Sequence, residues 1–290
     1  MFQGNPNLRA VNEPHSLTMD QVKEYVKCSQ DPIYFIENYV KIDTLWQGDP
    51  TIINFKPEPY QIELIMKLHE NRFVIGKLSR QVGKSTALNA YAVWCVVFRN
   101  GYKILSAAHK AKAAANNMKT FKQMYERLPT WIQEGVAIWN MERVEFENGS
   151  LYAIETTTED SGRSGTYSLV ILDEFAFVDD NIATEFYGAV YPTIASGKNT
   201  KLAIISTPNG MNTYYEMWTK AQLGKSPFKT VEIKWNDPPN RDEKFKQETI
   251  AATSEAKWLQ EFECIFAGSE NALINAQKLT EAEICTTYLS

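Results

Sequence analysis

The feature that most constrains this chain is a short apolar run, Phe73 to Leu78. It passes directly into Ser79-Arg80-Gln81-Val82-Gly83-Lys84-Ser85-Thr86 and then into a long helix-compatible stretch ending near Phe98. A strand, a tight loop carrying Gly-Lys-Ser and a helix together form a pocket for anionic oxygens. The loop N–H groups and the helix N-terminus point into it, Lys84 supplies a mobile positive charge, and the Ser85 hydroxyl can ligate Mg²⁺. Gly83 lets the backbone approach a phosphate closely. The consensus for such loops opens with a further glycine, and here that position is Leu78. Taken alone, the segment is also compatible with a coincidental Gly-Lys-Ser in an ordinary strand-to-helix turn.

The rest of the chain repeats the strand-then-helix pattern. Apolar runs at Lys103 to Ser106, Leu151 to Ile154, Ser168 to Leu172, Lys201 to Ser206 and Val231 to Lys234 alternate with helix-compatible stretches following Lys84, Lys110, Asn181 and Asn212. Such alternation predicts a mainly parallel sheet covered by helices on both faces. The fold class expected is α/β, a P-loop NTPase of the RecA-like (ASCE) type. Residues 17 to 42 show apolar positions at helical spacing, interrupted at Asp31-Pro32, which predicts two short amphipathic helices. The expected organisation is an N-terminal helical segment over 1–49, an ATPase core over 50–240, and a C-terminal segment over 241–290 that packs with the N-terminal one in a small, mostly helical subdomain.

Ser168-Leu169-Val170-Ile171-Leu172-Asp173-Glu174 is an apolar run ending in adjacent carboxylates, as a buried strand ends at the ligand-binding edge of a parallel sheet. Asp173 is then expected to hold Mg²⁺ and Glu174 to orient and deprotonate a water attacking the γ-phosphate of ATP. An apolar strand capped by Asp-Glu can also be a plain solvated strand end; its pairing with the upstream loop favours the functional reading. The strand Lys201 to Ile205 runs into Ser206-Thr207-Pro208-Asn209-Gly210. Ser206 and Thr207 are candidates for sensing the γ-phosphate and relaying its loss, with an ordinary strand-to-turn junction as the alternative.

Composition narrows the class. With 290 residues, 44% of them hydrophobic, a net charge of −5 and a pI near 5.4, the chain can bury a core but lacks the basic footprint of an autonomous, tight nucleic-acid binder. A weak or local DNA grip stays open, because whole-chain charge says nothing about a patch. No apolar run approaches the length of a membrane span, and the N-terminus lacks a secretory signal. Cys28, Cys95, Cys264 and Cys285 are far apart, which favours buried free thiols over disulfides or zinc.

The segments DPIYFIENYVKI, YQIELI, LSRQVGKST, AAHKA, LVILDEFAF, STPNG and FAGSENALI, read in order, resemble the large terminase subunit of contractile-tailed phages that package DNA by the headful. That resemblance spans nearly the whole chain, and the family tolerates the absent first glycine. It implies an ATPase motor that moves double-stranded DNA into a procapsid in the host cytoplasm, as a homo-oligomeric ring on the portal protein, with the small terminase subunit as a further partner. By the resemblance, Tyr60 and Gln61 contact adenine; physically, a ring can stack on the base while an amide reads its edge. A core aromatic beside a surface Gln is the alternative for that pair. Arg80 matches a loop arginine that would stabilise transition-state charge in cis. Arg163 could serve a neighbouring subunit's nucleotide or form a structural salt bridge. His109 and Lys110 either match a DNA-tracking motif or simply start a helix. Family members carry a second, nuclease domain with a carboxylate cluster, and the chain stops after the end of the ATPase part. No nuclease activity is therefore expected, and Glu261, Glu263 and Glu270 read as a solvated face. The rival readings are a helicase-like DNA-dependent ATPase, which needs a second motor lobe, and a nucleotide-binding scaffold without hydrolysis.

Overall fold

The computed structural model describes residues 1–14, 16–46, 49–158 and 165–266. Its centre is an eight-stranded sheet in the order β10-β3-β9-β8-β4-β7-β6-β5. These strands are β3 (Phe73–Leu78), β4 (Lys103–Ala108), β5 (Val136–Trp139), β6 (Arg143–Phe146), β7 (Leu151–Thr156), β8 (Leu169–Asp173), β9 (Lys201–Ser206) and β10 (Lys229–Ile233). From β10 to β7 all neighbours are parallel, and β6 and β5 add an antiparallel edge.

Each central strand is apolar on both faces, as a sheet covered twice must be. Ile104, Leu169, Ile171, Ala203 and Ile205 belong to one core, and their chain neighbours Leu105, Val170, Leu172, Leu202 and Ile204 to the other. This period-2 division follows from the pleat. The first core is closed by α4 (Lys84–Phe98), in which every residue from Ala87 to Val97 is buried, and by α5 (Ala111–Glu126). The second is closed by α6 (Asp180–Ser196) and α7 (Thr213–Gln222), through Phe186, Tyr214 and Trp218.

The two N-terminal helices form as expected, α1 (Met19–Gln30) and α2 (Pro32–Tyr39). Thr18 and Gln21 cap the first reciprocally, and Asp31 caps the second by accepting from the N–H groups of Ile33 and Tyr34, with Pro32 at its first position. The two terminal segments are anchored at different places on the core. The Trp94 indole of α4 donates to the Cys28 carbonyl at 2.9 Å, and Tyr25 donates to the Val97 carbonyl at 3.3 Å. At the other end, α8 (Glu243–Ala252) and α9 (Glu255–Glu261) lie beside the loop that follows β3, where the Arg80 N–H donates to the Glu261 carbonyl at 2.8 Å. α3 (Pro59–Glu70) leads into β3.

Two features depart from the expected pattern. A hairpin of β1 (Lys41–Trp46) and β2 (Asp49–Asn54) pairs Lys41 with Asn54 through Trp46 with Asp49, where the sequence pattern predicts two helices within residues 17 to 42 and no strand before β3. The edge strands β5 and β6 are likewise additions to the expected pattern. Cys28, Cys95 and Cys264 are buried free thiols, as their spacing implied; Cys285 and His15 lie outside the described residues.

His69, which no motif claimed, packs edge-on against Trp94 and Tyr91, with ring centroids at 5.2 and 6.0 Å. Burial holds its pKa below the ordinary 6.5, with the positive charges of Lys201 and Arg99 acting in the same direction. The unfolded chain therefore binds this proton more readily than the native one. Native stability is full above about pH 6.5 and falls as pH drops through the depressed native value. Melting temperature measured from pH 7.5 to 5.5 should decline, and His69→Phe, which keeps the ring contacts without the titration, should flatten that decline.

Candidate active site

Because β9 lies between β3 and β8, the carboxyl ends of three parallel strands open on one edge of the sheet, and the loop after β3 meets the acidic pair after β8 there. Ser79 is fully buried and its N–H is tied to the Ile233 carbonyl at the end of β10, 2.9 Å away. The left-handed residues of the loop are Gln81 (φ 58°) and Gly83 (φ 70°), whereas Leu78 stays in the strand. The missing first glycine is thus accounted for: the turn places its unusual dihedrals further along. Gly83 is required twice over, since a Cβ there would also collide with Gln61 Nε2. Val82 is buried in the core, and Lys84, Ser85 and Thr86 form the first turn of α4.

At the facing strand end, Asp173 is the last residue of β8 and Glu174 adopts a left-handed conformation, φ 57°, before the short 3₁₀ turn Phe175–Phe177. The Lys84 ammonium is bonded to Glu174 Oε1 and lies 3.7 Å from Asp173 Oδ1. Ser85 Oγ donates to Asp173 Oδ2 at 3.0 Å. Asn117 Nδ2, from α5, lies 3.4 Å from the same oxygen and 3.3 Å from Ser106 Oγ. Asp173 is only 5% exposed, and its Oδ1 is buried without a hydrogen-bond partner. A buried carboxylate oxygen with spare lone pairs, next to a serine hydroxyl, is a hard oxygen donor set of the kind Mg²⁺ takes beside substrate phosphates. The residues fit that ion.

The third strand end is linked to the turn after the acidic pair and to α9. Ser206 and Thr207 are buried, and Ser206 Oγ accepts the Ala176 N–H, two residues past Glu174, at 3.1 Å. The Ala176 carbonyl accepts from the side-chain amides of Asn209 and Asn212, at 3.1 and 2.7 Å. Gln260 of α9 in turn donates to Asn209 Oδ1 at 3.0 Å and to the Pro208 carbonyl at 3.2 Å. His109, after β4, has a buried Nδ1 with no hydrogen-bond partner and a ring 5.7 Å from Phe177. Burial lowers its pKa while Glu174 pulls it upward. Lys110 is the exposed N-cap of α5 and makes no side-chain cap bond. Arg163 lies outside the described residues.

Tyr60 and Gln61 sit in the first turn of α3, against the loop. Gln61 is buried: its Oε1 accepts the Glu58 N–H at 2.9 Å and its Nε2 donates to the Val82 carbonyl at 3.0 Å. Tyr60 is half-buried. Its phenol pKa is raised by burial and by Glu58, with Arg241 opposing. Arg80 is 56% exposed and ion-paired with Glu261 Oε2 at 2.5 Å, and among the described residues it forms no ion pair with Asp173 or Glu174. Glu263 accepts from the Trp258 indole at 3.1 Å and from Lys246 at 3.4 Å, so both glutamates bind within the protein; Glu270 is outside the described residues. Arg241, Asn117 and Glu261 are site-lining residues that no sequence motif marks. Arg241 follows the Asn236 to Asn240 turn and reaches the loop only because α8 and α9 fold over it.

Comparison with known proteins gives this geometry a family context. The sequence profile of the family described as "Terminase large subunit, T4likevirus-type, N-terminal" matches residues 75–281. Among solved structures, the large terminase ATPase domain of Thermus phage P74-26 superposes with a TM-score of 0.61 at 22% identity, covering 73% of this chain and 94% of that one. The large terminase of bacteriophage HK97 gives 0.57 at 19% identity, over 90% of this chain and 52% of that one. A large terminase from a thermophilic bacteriophage, solved in complex with ATP-γ-S, gives 0.57 at 12% identity, over 73% and 53%. The chain therefore spans about half the length of the last two proteins.

The loop geometry carries its own test. Gly83→Ala must place a Cβ at positive φ and against Gln61, so it should lower unfolding free energy by about 1–3 kcal/mol. Chemical denaturation measures it, and a neutral substitution would mean that the loop relaxes to another backbone.

Proposed function

The chain belongs to the family of T4-type terminase large subunits, as their N-terminal ATPase part, and from that membership we propose that it hydrolyses Mg²⁺-ATP to drive double-stranded DNA into a procapsid. The observation that carries the reading is the convergence of Lys84, Ser85, Asp173 and Glu174 at one sheet edge. A strand-end carboxylate pair facing a phosphate loop is the arrangement phosphoryl transfer needs.

In this reading the loop N–H groups and the N-terminus of α4 take the β- and γ-phosphate oxygens, and Lys84 exchanges its bond to Glu174 for one to phosphate. Ser85 and Asp173 would hold Mg²⁺, which when bound neutralises phosphate charge. Glu174, freed from Lys84, accepts a proton from the attacking water. Tyr60 offers a face to adenine, and Gln61 keeps one N–H and one lone pair for its edge. Arg80 reaches the developing charge only by leaving Glu261. Ser206 and Thr207 relay phosphate loss through Ala176 and Asn209 to α9. ATP-γ-S bound to the thermophilic phage's large terminase supports the nucleotide assignment. Portal protein, small terminase subunit and further copies of this chain are the partners the family reading adds. In this reading no DNA cleavage is assigned to this chain.

Lys84→Ala should weaken ATP binding, whereas Glu174→Gln should bind ATP normally and lose turnover by roughly 10²-fold or more. Equilibrium binding and phosphate release separate the two; near-parental turnover in Glu174→Gln would remove it as the base.

Arg80→Ala should lower turnover by roughly 10³-fold, the scale of an arginine finger. If added Lys84→Ala subunits restore activity to Arg80→Ala subunits, the arginine acts across subunits and the cis assignment fails.

A further inference from the structure

Three successive carbonyls of the phosphate loop are tied down from outside it. Arg241 Nη2 donates to the carbonyls of Arg80 and Gln81, each at 2.9 Å, and Gln61 Nε2 donates to that of Val82 at 3.0 Å. All peptides here are trans, and in a trans peptide the carbonyl and the following N–H point in opposite directions. Holding those carbonyls therefore turns the N–H groups of Gln81, Val82 and Gly83 away from the groups that hold them. Among the described residues, none of these three N–H groups donates to another protein group. Successive free N–H groups in a loop with left-handed residues form an anion-binding concavity.

Arg241 is itself well fixed. Its guanidinium lies 5.1 Å from the Phe245 ring and 5.6 Å from the Phe262 ring, and Nη1 reaches the Trp235 carbonyl at 3.4 Å and Ser79 Oγ at 3.5 Å. No carboxylate among the described residues forms an ion pair with it. Its guanidinium is met instead by backbone carbonyls, the Ser79 hydroxyl and two ring faces directly behind the loop.

We infer that Arg241 is a positioning residue for nucleotide binding: it sets the orientation of the phosphate-loop peptides from behind, so that the cradle is formed before phosphate arrives. The inference rests on the phosphate-loop reading above and extends it to a residue some 160 positions away in sequence. Lysine cannot replace it fully, because a single ammonium lacks the planar fork and stacks less well on Phe245 and Phe262. Since the cradle binds phosphate in ground and transition states alike, its loss raises KM more than it lowers kcat.

The test measures ATP turnover by the full chain, with ADP, pyrophosphate and adenosine as competing inhibitors. Pyrophosphate reports on the cradle and adenosine on the base site. For Arg241→Met, which keeps the apolar packing, KM for ATP and the inhibition constants of ADP and pyrophosphate should rise roughly tenfold, the scale of a lost hydrogen bond to charge. The inhibition constant of adenosine should not move, and kcat should stay within about threefold. Arg241→Lys should fall between Arg241→Met and the parent, and it carries the test if Arg241→Met melts before assay temperature. Equal weakening of adenosine and pyrophosphate in a folded variant would show general loosening and overturn the inference, as would an unchanged pyrophosphate constant. A parent chain that neither binds nor turns over ATP would instead sink the phosphate-loop reading, visible before any Arg241 variant is made.

Discussion

The structure turns on a charge arrangement at the carboxyl edge of the sheet. Asp173 and Glu174 on one side and Lys84 on the other are brought together where β8, β9 and β3 end. A carboxylate as buried as Asp173 is costly unless its oxygens are paired, and here Ser85, Asn117 and Lys84 share that task. One oxygen is left without a hydrogen bond. The sheet order, the burial of α4 from Ala87 to Val97 and the left-handed turns at Gln81, Gly83 and Glu174 all serve to hold these groups within reach of one another.

Around that cluster, polar contacts extend outward in one direction. Ser206 holds the turn after Glu174 by the Ala176 N–H, Asn209 and Asn212 hold the Ala176 carbonyl, and Gln260 holds Asn209. The adjacent Glu261 carries Arg80, and Arg241 closes the back of the loop. The C-terminal helices are therefore in hydrogen-bonded contact with both halves of the site. A continuous run of hydrogen bonds, buried at Ser206 and part-buried at Asn209, Asn212 and Gln260, thus joins the turn after Glu174 to α9.

Much of the fold was legible because both the pleat and the helix leave periodic traces. The strands at Phe73, Lys103, Leu169 and Lys201 are apolar runs buried on both faces, which few other structures can accommodate, and the run at Leu151 is buried at its start. The β1–β2 hairpin was not legible: Ile52 and Ile53 are exposed, so its short run shows no in-and-out alternation against a core. The edge strands β5 and β6 are four residues each, too short for a pattern to stand out.

The site divides in the same way. Sequence alone determined the local chemistry: a strand running into Gly83-Lys84-Ser85, and a strand ending in Asp173-Glu174, each place their groups within a few bonds of a backbone whose geometry is predictable. What only the tertiary structure decided is where the long, flexible side chains go. Arg80 bonds Glu261, Gln61 is buried against Val82, and Arg241 crosses from the far end of the chain to grip the loop. The Arg80 and Arg241 contacts depend on how the C-terminal segment folds over the sheet edge, and the Gln61 contact on how α3 meets the loop; partners that lie apart in sequence leave no local periodicity or motif from which the pairing could be read.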